Sequence, residues 1–458
     1  MTTSRGISRR SLVLGGGGLL MAKALATGLP TSFLNNWRFV DVARAQSASR
    51  PTFTLLALGG SGDPLNTNVP GMYPDPGDDN DSRRKIAHPS AEKLGDQALG
   101  SVNGIEIFPR DFENPSEVRL GDVVALGAKP WAVLPEALRN RMRFIHHGTY
   151  ANAHPEAASV RTFHGALKGP SGVGTESLPA FLAQETARAL GTTVETPVAV
   201  GGPSVFYEGR KLRLQSPKNL QALFAGRGNA FGLSRKEFAN LRDRTLDAIY
   251  SEVRREGTHA QRTFIDSMAR SRSEALSLGD ELAEALEGIR DNEVDSQIQA
   301  ALSLFEKGVA PVVSIQIPFG QDNHGDSDLG TEASENTSGV EYINRIWRDL
   351  VDRGLQDRVT FAFLNVFGRD FELNTAGGRQ HNANHHAMVI FGPNVSPGVV
   401  GSVEYRELGN NDVRGTAMPI GDIPFDETLQ AAGKTLAHVV GVPDSVIDER
   451  ISGGKIIV

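Results

Sequence analysis

The chain has 458 residues, 39% of them hydrophobic and 22% charged, which is enough apolar material for a large core and excludes wholesale disorder. Its net charge is −7, and without residues 1–45 the remaining 41 basic and 53 acidic side chains give −12, a surface that repels phosphate backbones and excludes nucleic acid as a main partner. There is no cysteine, so disulfides, thiol nucleophiles and sulfur-ligated metals are excluded; a metal site here must be built from His, Asp, Glu and Asn, which suits Zn, Mn, Mg or Ca.

In chain order, the N-terminus reads as an export signal. Ser8-Arg9-Arg10-Ser11-Leu12 has the twin-arginine pattern. The segment over 12–25 is only weakly apolar, diluted by Gly15 to Gly18 and by Lys23, too short and too polar for a membrane anchor. Ala43-Arg44-Ala45 supplies the small residues of a cleavage site. The expectation is a signal peptide over 1–45, a periplasmic or secreted address with no membrane anchor after cleavage, and one domain over 46–458.

Residues 52–58, TFTLLAL, form a continuously apolar run that predicts a buried strand, ending in glycines and Asp63. An acidic, Pro- and Gly-rich loop covers 70–84. A strand over 121–126, a helix over 135–142 and a strand end over 143–145 follow. His146-His147-Gly148-Thr149 and His154 then form a polar loop, with Thr149 and Ser159 as nearby hydroxyls. Helical periodicity predicts helices over 178–190 and 216–224. A third opens on the capping box Ser234-Arg235-Lys236-Glu237 and runs to about 255. A fourth covers 258–287 with a break at Gly279, and a fifth 294–307. Residues 216–307 thus read as a helical block inserted in, or layered on, an α/β pattern. The run 309–317 predicts another buried strand, leading to Asp322-Asn323-His324; in an extended segment this spacing puts a carboxylate and an imidazole on one side. A helix over 339–353 and a strand over 359–367 come next. After them lies the loop 367–386, where His381, His385 and His386 fall together, followed by an apolar run over 387–391. A helix over 427–440 and a terminal strand over 455–458 end the chain. A polar His-rich loop beyond the carboxyl end of a buried strand is where α/β sheets place ligands.

Three segments together resemble one family. Gly59 to Pro70, GGSGDPLNTNVP, is similar to a GGxDGLNTxxP signature, with one extra residue and Pro64 in place of Gly. Gln321 to Gly325, QDNHG, is similar to WDTHG. Phe367-Gly368-Arg369 with Asn374 and Gly378-Arg379-Gln380-His381 is similar to EFGRTPxxN…GRDH. The family is domain-of-unknown-function family 1501, distantly related to sulfatases and alkaline phosphatases. The resemblance implies an alkaline-phosphatase-like α/β fold with a central, mostly parallel sheet and helices on both faces. It also implies a divalent metal at the strand ends and hydrolysis of an anionic phosphate or sulfate ester, small or polymeric. The implied metal ligands are Asp63, Asp322, His324 and His381, with His385 as a further candidate, and Arg369 and Arg379 as the clamp on the anionic group. The sequence departs from the pattern at Gln380 and Val366, where the family has acids, and at Asp370-Phe371, where it has Thr-Pro. Loss of two negative charges favours one metal, a weak site or none. A non-catalytic binding or assembly protein on the same fold is therefore the alternative.

The export reading has a direct test. Arg9→Lys with Arg10→Lys should leave the protein in the cytoplasm on cell fractionation, because the export receptor reads the paired arginines. Normal periplasmic accumulation of the double variant would remove the assignment.

Overall fold

In this computed structural model the described residues are 49–71, 100–102, 105–107, 116–169, 176–224, 229–230, 233–320, 322–326, 329–370, 374–407 and 413–457. The segment read as an export signal, and the acidic loop beyond residue 71, lie outside them. Seven strands, numbered in chain order, form the central sheet. They are β1 (Phe53–Leu58), β2 (Met142–His147), β3 (Val198–Ala199), β4 (Val312–Ile315), β5 (Val359–Leu364), β6 (His386–Phe391) and β7 (Gly398–Val400). Their order across the sheet is β7-β2-β6-β5-β1-β4-β3. Six strands point the same way; β6 runs against both its neighbours, with His386 opposite His147 and Phe391 opposite Met142. The sheet is therefore mostly parallel.

The unbroken apolar runs have a simple cause: the sheet is covered on both sides, so alternate side chains feed two cores. Phe53, Leu55 and Ala57 of β1 join Phe361, Phe363 and Val389 in one core. Leu56 and Leu58 join Ala362, Leu364 and Ile390 in the other. The helices, again in chain order, are α1 (Leu178–Leu190), α2 (Pro217–Phe224), α3 (Arg235–Glu256), α4 (His259–Ala285), α5 (Val294–Glu306), α6 (Gly330–Asp352), α7 (Thr428–Val439) and α8 (Asp444–Arg450). Helices α5 and α6 give Ile298, Phe305, Ile343 and Leu350 to the first core. Helices α1, α7 and α8 give Phe181, Leu436 and Ile447 to the second. The layers are thus helix, sheet, helix, and α5 belongs to a covering layer rather than to an insertion. Among the described residues no helix is long and apolar enough to cross a membrane.

Several boundaries differ from the sequence reading. Residues 136–139 form a single turn rather than a helix over 135–142, and Met142 already belongs to β2. His146 and His147 are the end of that strand, both buried, not a polar loop. Helix α4 continues through Gly279, where a side chain would meet nothing within 4 Å. Helix α6 starts at Gly330, well before residue 339, because the polar turns 330–338 are packed against the β1 loop, with Glu332, Asn336 and Thr337 buried. Residues 455–457 make no strand.

The carboxyl ends of β1, β4 and β5, which lie side by side, open onto one edge of the sheet, and β6 begins at that same edge because it runs the other way. The loop after β1 is tight: Gly62 has φ +65, and a Cβ there would run into the Phe367 ring that follows β5. Left-handed backbone plus a steric clash predicts that Gly62→Ala costs roughly 2 kcal/mol or more. The denaturant midpoint should fall clearly; an unchanged midpoint would show that the loop accommodates the methyl group.

Candidate functional site

Four loops meet at this edge, and a buried arginine joins three of them. Arg369 follows β5 and is 0% exposed. Its backbone N–H donates to Asn66 Oδ1 and its carbonyl accepts from Asn66 Nδ2, both at 2.8 Å. Its guanidinium donates to the carbonyls of Ser61 and Gly62 in the β1 loop, at 3.3 and 3.0 Å through Nη2, and to Asp322 Oδ1 beyond β4 at 3.1 Å. The family-like FGR segment is thus first a tie between strand ends.

Asp322 projects from this tie into a cluster of imidazoles, with 46% of its side chain exposed. His324 Nε2 lies 3.2 Å from its Oδ1, and His154 Nε2 lies 3.3 Å from its Oδ2. His381, from the loop before β6, packs its ring against Phe367 at 4.1 Å between centroids, and against His324 and His154 at 4.7 and 4.9 Å. One ligand atom from each of His154, Asp322 and His381 lies within 4.8 Å of the others. His381 Nδ1–H donates to the Asn152 carbonyl at 2.8 Å, which leaves the ring lone pair on Nε2. Burial first, then Arg369 and the other two imidazoles, hold the His381 pKa below its usual value despite the Asn152 carbonyl, so the ring is neutral at neutral pH. Burial alone would push the Asp322 carboxyl up, but Arg369, His324 and His154 outweigh it and keep Asp322 ionised below its ordinary range. Two imidazoles and one carboxylate are a donor set that fits Zn or Mn.

Of the seven site residues expected from sequence, the structure brings Asp322, His324, His381 and Arg369 together and leaves three elsewhere. Asp63 is 2% exposed; its Oδ1 accepts from Leu65 N at 3.1 Å and lies 3.3 Å from His386 Nε2, and its Oδ2 accepts from Asn365 Nδ2. It caps the turn Pro64–Thr67 and turns inward. Arg379 is 0% exposed and pairs with buried Glu332 at 2.6 Å, while also donating to the Asp370 carbonyl. A guanidinium used in this way is not a clamp for an external anion. His385 is buried and stacked on His146, with centroids 5.1 Å apart.

The His385–His146 contact has one consistent proton arrangement. Asn66 Nδ2–H donates to His385 Nδ1 at 3.1 Å, so His385 carries its proton on Nε2. That proton is donated to His146 Nδ1 at 2.8 Å, and His146 Nε2–H donates to the Pro70 carbonyl at 3.1 Å. Both rings are satisfied while neutral. Among the hydroxyls, Thr149 is buried, with Oγ1 donating to the Ala383 carbonyl at 3.3 Å. Ser159 Oγ donates to His164 Nδ1 at 2.9 Å, and His164 Nε2–H donates to the Thr149 carbonyl at 2.7 Å. His154 joins the cluster without having been expected there. In the sequence it belongs to the 146–154 histidine group and lies near where the family resembled has a Ser-His-Phe segment, and the register of β2 beside β6 is what carries that loop to His381.

A family model described as "Protein of unknown function (DUF1501)" matches residues 230–422. The match takes in Asp322, His324, Arg369 and His381, and supports the resemblance carried by the QDNHG and FGR motifs. No curated protein matches the chain. Among solved structures, the chain is similar to "Structure of PH0037 protein from Pyrococcus horikoshii" at 8% identity, covering 77% of this chain and 88% of that one, with a TM-score of 0.18, too low to carry an argument.

The buried histidines make the fold acid-sensitive. Desolvation lowers His146 to about 4, and desolvation together with His386 lowers His147 to about 3; burial puts His385 well below its usual value. Above about pH 6.5 these groups are neutral folded or unfolded, and their contribution is complete. As the pH falls below 6.5 the unfolded chain takes up protons that the folded chain refuses, and stability is lost at up to ~1.4 kcal/mol per pH unit for each histidine. Denaturant midpoints should therefore fall between pH 6.5 and 5, above the carboxylate range; a flat profile there would contradict neutral burial.

Proposed function

We propose that the protein is an exported, metal-dependent hydrolase of an anionic phosphate or sulfate ester, with His154, Asp322 and His381 as the metal ligands. The observation that carries this reading is the convergence of those three donors from three loops to within 4.8 Å of one another, at the strand edge where α/β folds bind ligands. A divalent cation held there would supply a Lewis acid for the ester oxygen and lower the pKa of a bound water. The chain's own residues do the rest. The Asn152 carbonyl fixes the His381 tautomer that offers its lone pair. Arg369 holds Asp322 through one carboxylate oxygen, and His154 lies beside the other. His324, 38% exposed beside Asp322, is the group positioned to hydrogen-bond an anionic substrate or give a proton to a leaving oxygen.

The alternative, a non-catalytic binding or assembly protein on the same fold, draws support from the inward turn of Asp63 and from Arg379, whose charge is spent on Glu332. The deciding measurement is metal content. Purified protein should hold a stoichiometric divalent ion, EDTA should lower its melting temperature, and His154→Ala should cut metal affinity at least about tenfold. Protein that carries no ion, with a melting temperature indifferent to EDTA, would move the assignment to the binding reading.

A further inference from the structure

The described part of the chain buries five arginines: Arg143, Arg161, Arg369, Arg379 and Arg450. Four of them are accounted for. Arg369 meets Asp322, Arg379 meets Glu332, and Arg450 meets Glu185 at 2.9 Å. Arg143 lacks an acid but donates to the carbonyls of Ser396 and Ile457 at 2.7 and 2.9 Å. Arg161 differs. It is 5% exposed, and its Nε and Nη1, both closed to solvent, donate to nothing. Among the described residues no acidic group acts on it; burial pushes its pKa down to about 10.

Its backbone is fixed in the fold. Arg161 N–H donates to the Ala157 carbonyl, and the Arg161 carbonyl accepts from Leu178 N at 2.9 Å, pinning the residue between a helical turn and the start of α1. The preceding Val160, Phe163 two residues on, and Leu178 across the hydrogen bond belong to the second core. A guanidinium withdrawn from water with its donors unused carries a desolvation cost that the other four buried arginines offset with carboxylates or carbonyls.

We propose that Arg161 is the receptor of a small oxyanion, a carboxylate or a phosphate-type group. The anion supplies what the protein omits: acceptor oxygens for Nε and Nη1 and a negative charge beside the guanidinium. This assignment does not rest on the metal reading, since among the described residues no hydrogen bond or ion pair joins the Arg161 side chain to the His154–Asp322–His381 cluster.

Thermal unfolding tests it, with phosphate and acetate titrated separately into purified wild-type protein and sodium chloride matched for ionic strength. The melting temperature should rise with phosphate or acetate and not with chloride, because a ligand bound only by the folded state stabilises it by mass action. Arg161→Met should abolish that rise. Arg161→Lys, which keeps the charge should methionine fail to fold, should weaken the anion by roughly tenfold or more, since it lacks the guanidinium's donor array. Whichever of the two anions acts identifies the class. No rise in wild type, an equal rise with chloride, a rise that persists in Arg161→Met, or undiminished affinity in Arg161→Lys would each overturn the proposal.

Discussion

Everything at this edge of the sheet depends on one desolvated cation. Arg369 is the point at which the loops after β1, β4 and β5 are bound to one another, through carbonyls of Ser61 and Gly62, the carboxylate of Asp322 and both polar atoms of Asn66. A charge of this kind is expensive to bury, and breaking one partner of such a network leaves the others uncompensated. The geometry is therefore all-or-none. Asp322 is held at the cluster because Arg369 neutralises it, and Arg369 can be buried because Asp322 and the carbonyls satisfy it.

Beneath this tie the polar residues divide into two populations. The inner one is buried and bonds mainly to itself. Asp63 is bonded to both Asn365 and His386, Glu332 accepts from Arg379, Thr67 and Asn323, and His146 and His385 form a neutral pair. These groups set the shape of the loops through the bonds they make to one another, although among the described residues His386 Nδ1 and Asn323 Oδ1 are left without a partner. The outer population, His154, Asp322, His324 and His381, is partly open to water and faces itself across loops that share no strand.

That division explains what the sequence made legible. The strands β1, β4 and β5 were visible because burial on two faces leaves a continuous apolar signature, and the glycines and acids after them marked the edge. Asp322, His324 and Arg369 could be placed at this edge because they stand in short motifs after a strand, and His381 because its loop returns to the start of the next one. Burial was harder to read. His146 and His147 look polar in a sequence, yet strand pairing with β6 encloses them, and only the partner residues Asn66, Pro70 and Gly148 make neutral imidazoles tolerable there. Asp63 and Arg379 were misplaced for a related reason: a charged residue in a motif offers no sign of whether its partner is a ligand or another side chain. His154 could not be seen because its neighbours in space, Asp322 and His381, are remote in sequence.

The lone antiparallel strand has a consequence of its own. Because β6 reverses direction between β5 and β2, the segment joining β5 to β6 leaves and re-enters the sheet at the same edge. It is a hairpin anchored at both feet, not a crossover that must traverse a face. Lengthening such a loop costs little closure entropy and disturbs no strand order. Chains built on this plan can vary the segment carrying Asn374, Arg379 and His381 while the sheet beneath stays the same. The chemistry at this edge is thus free to diverge faster than the architecture that supports it.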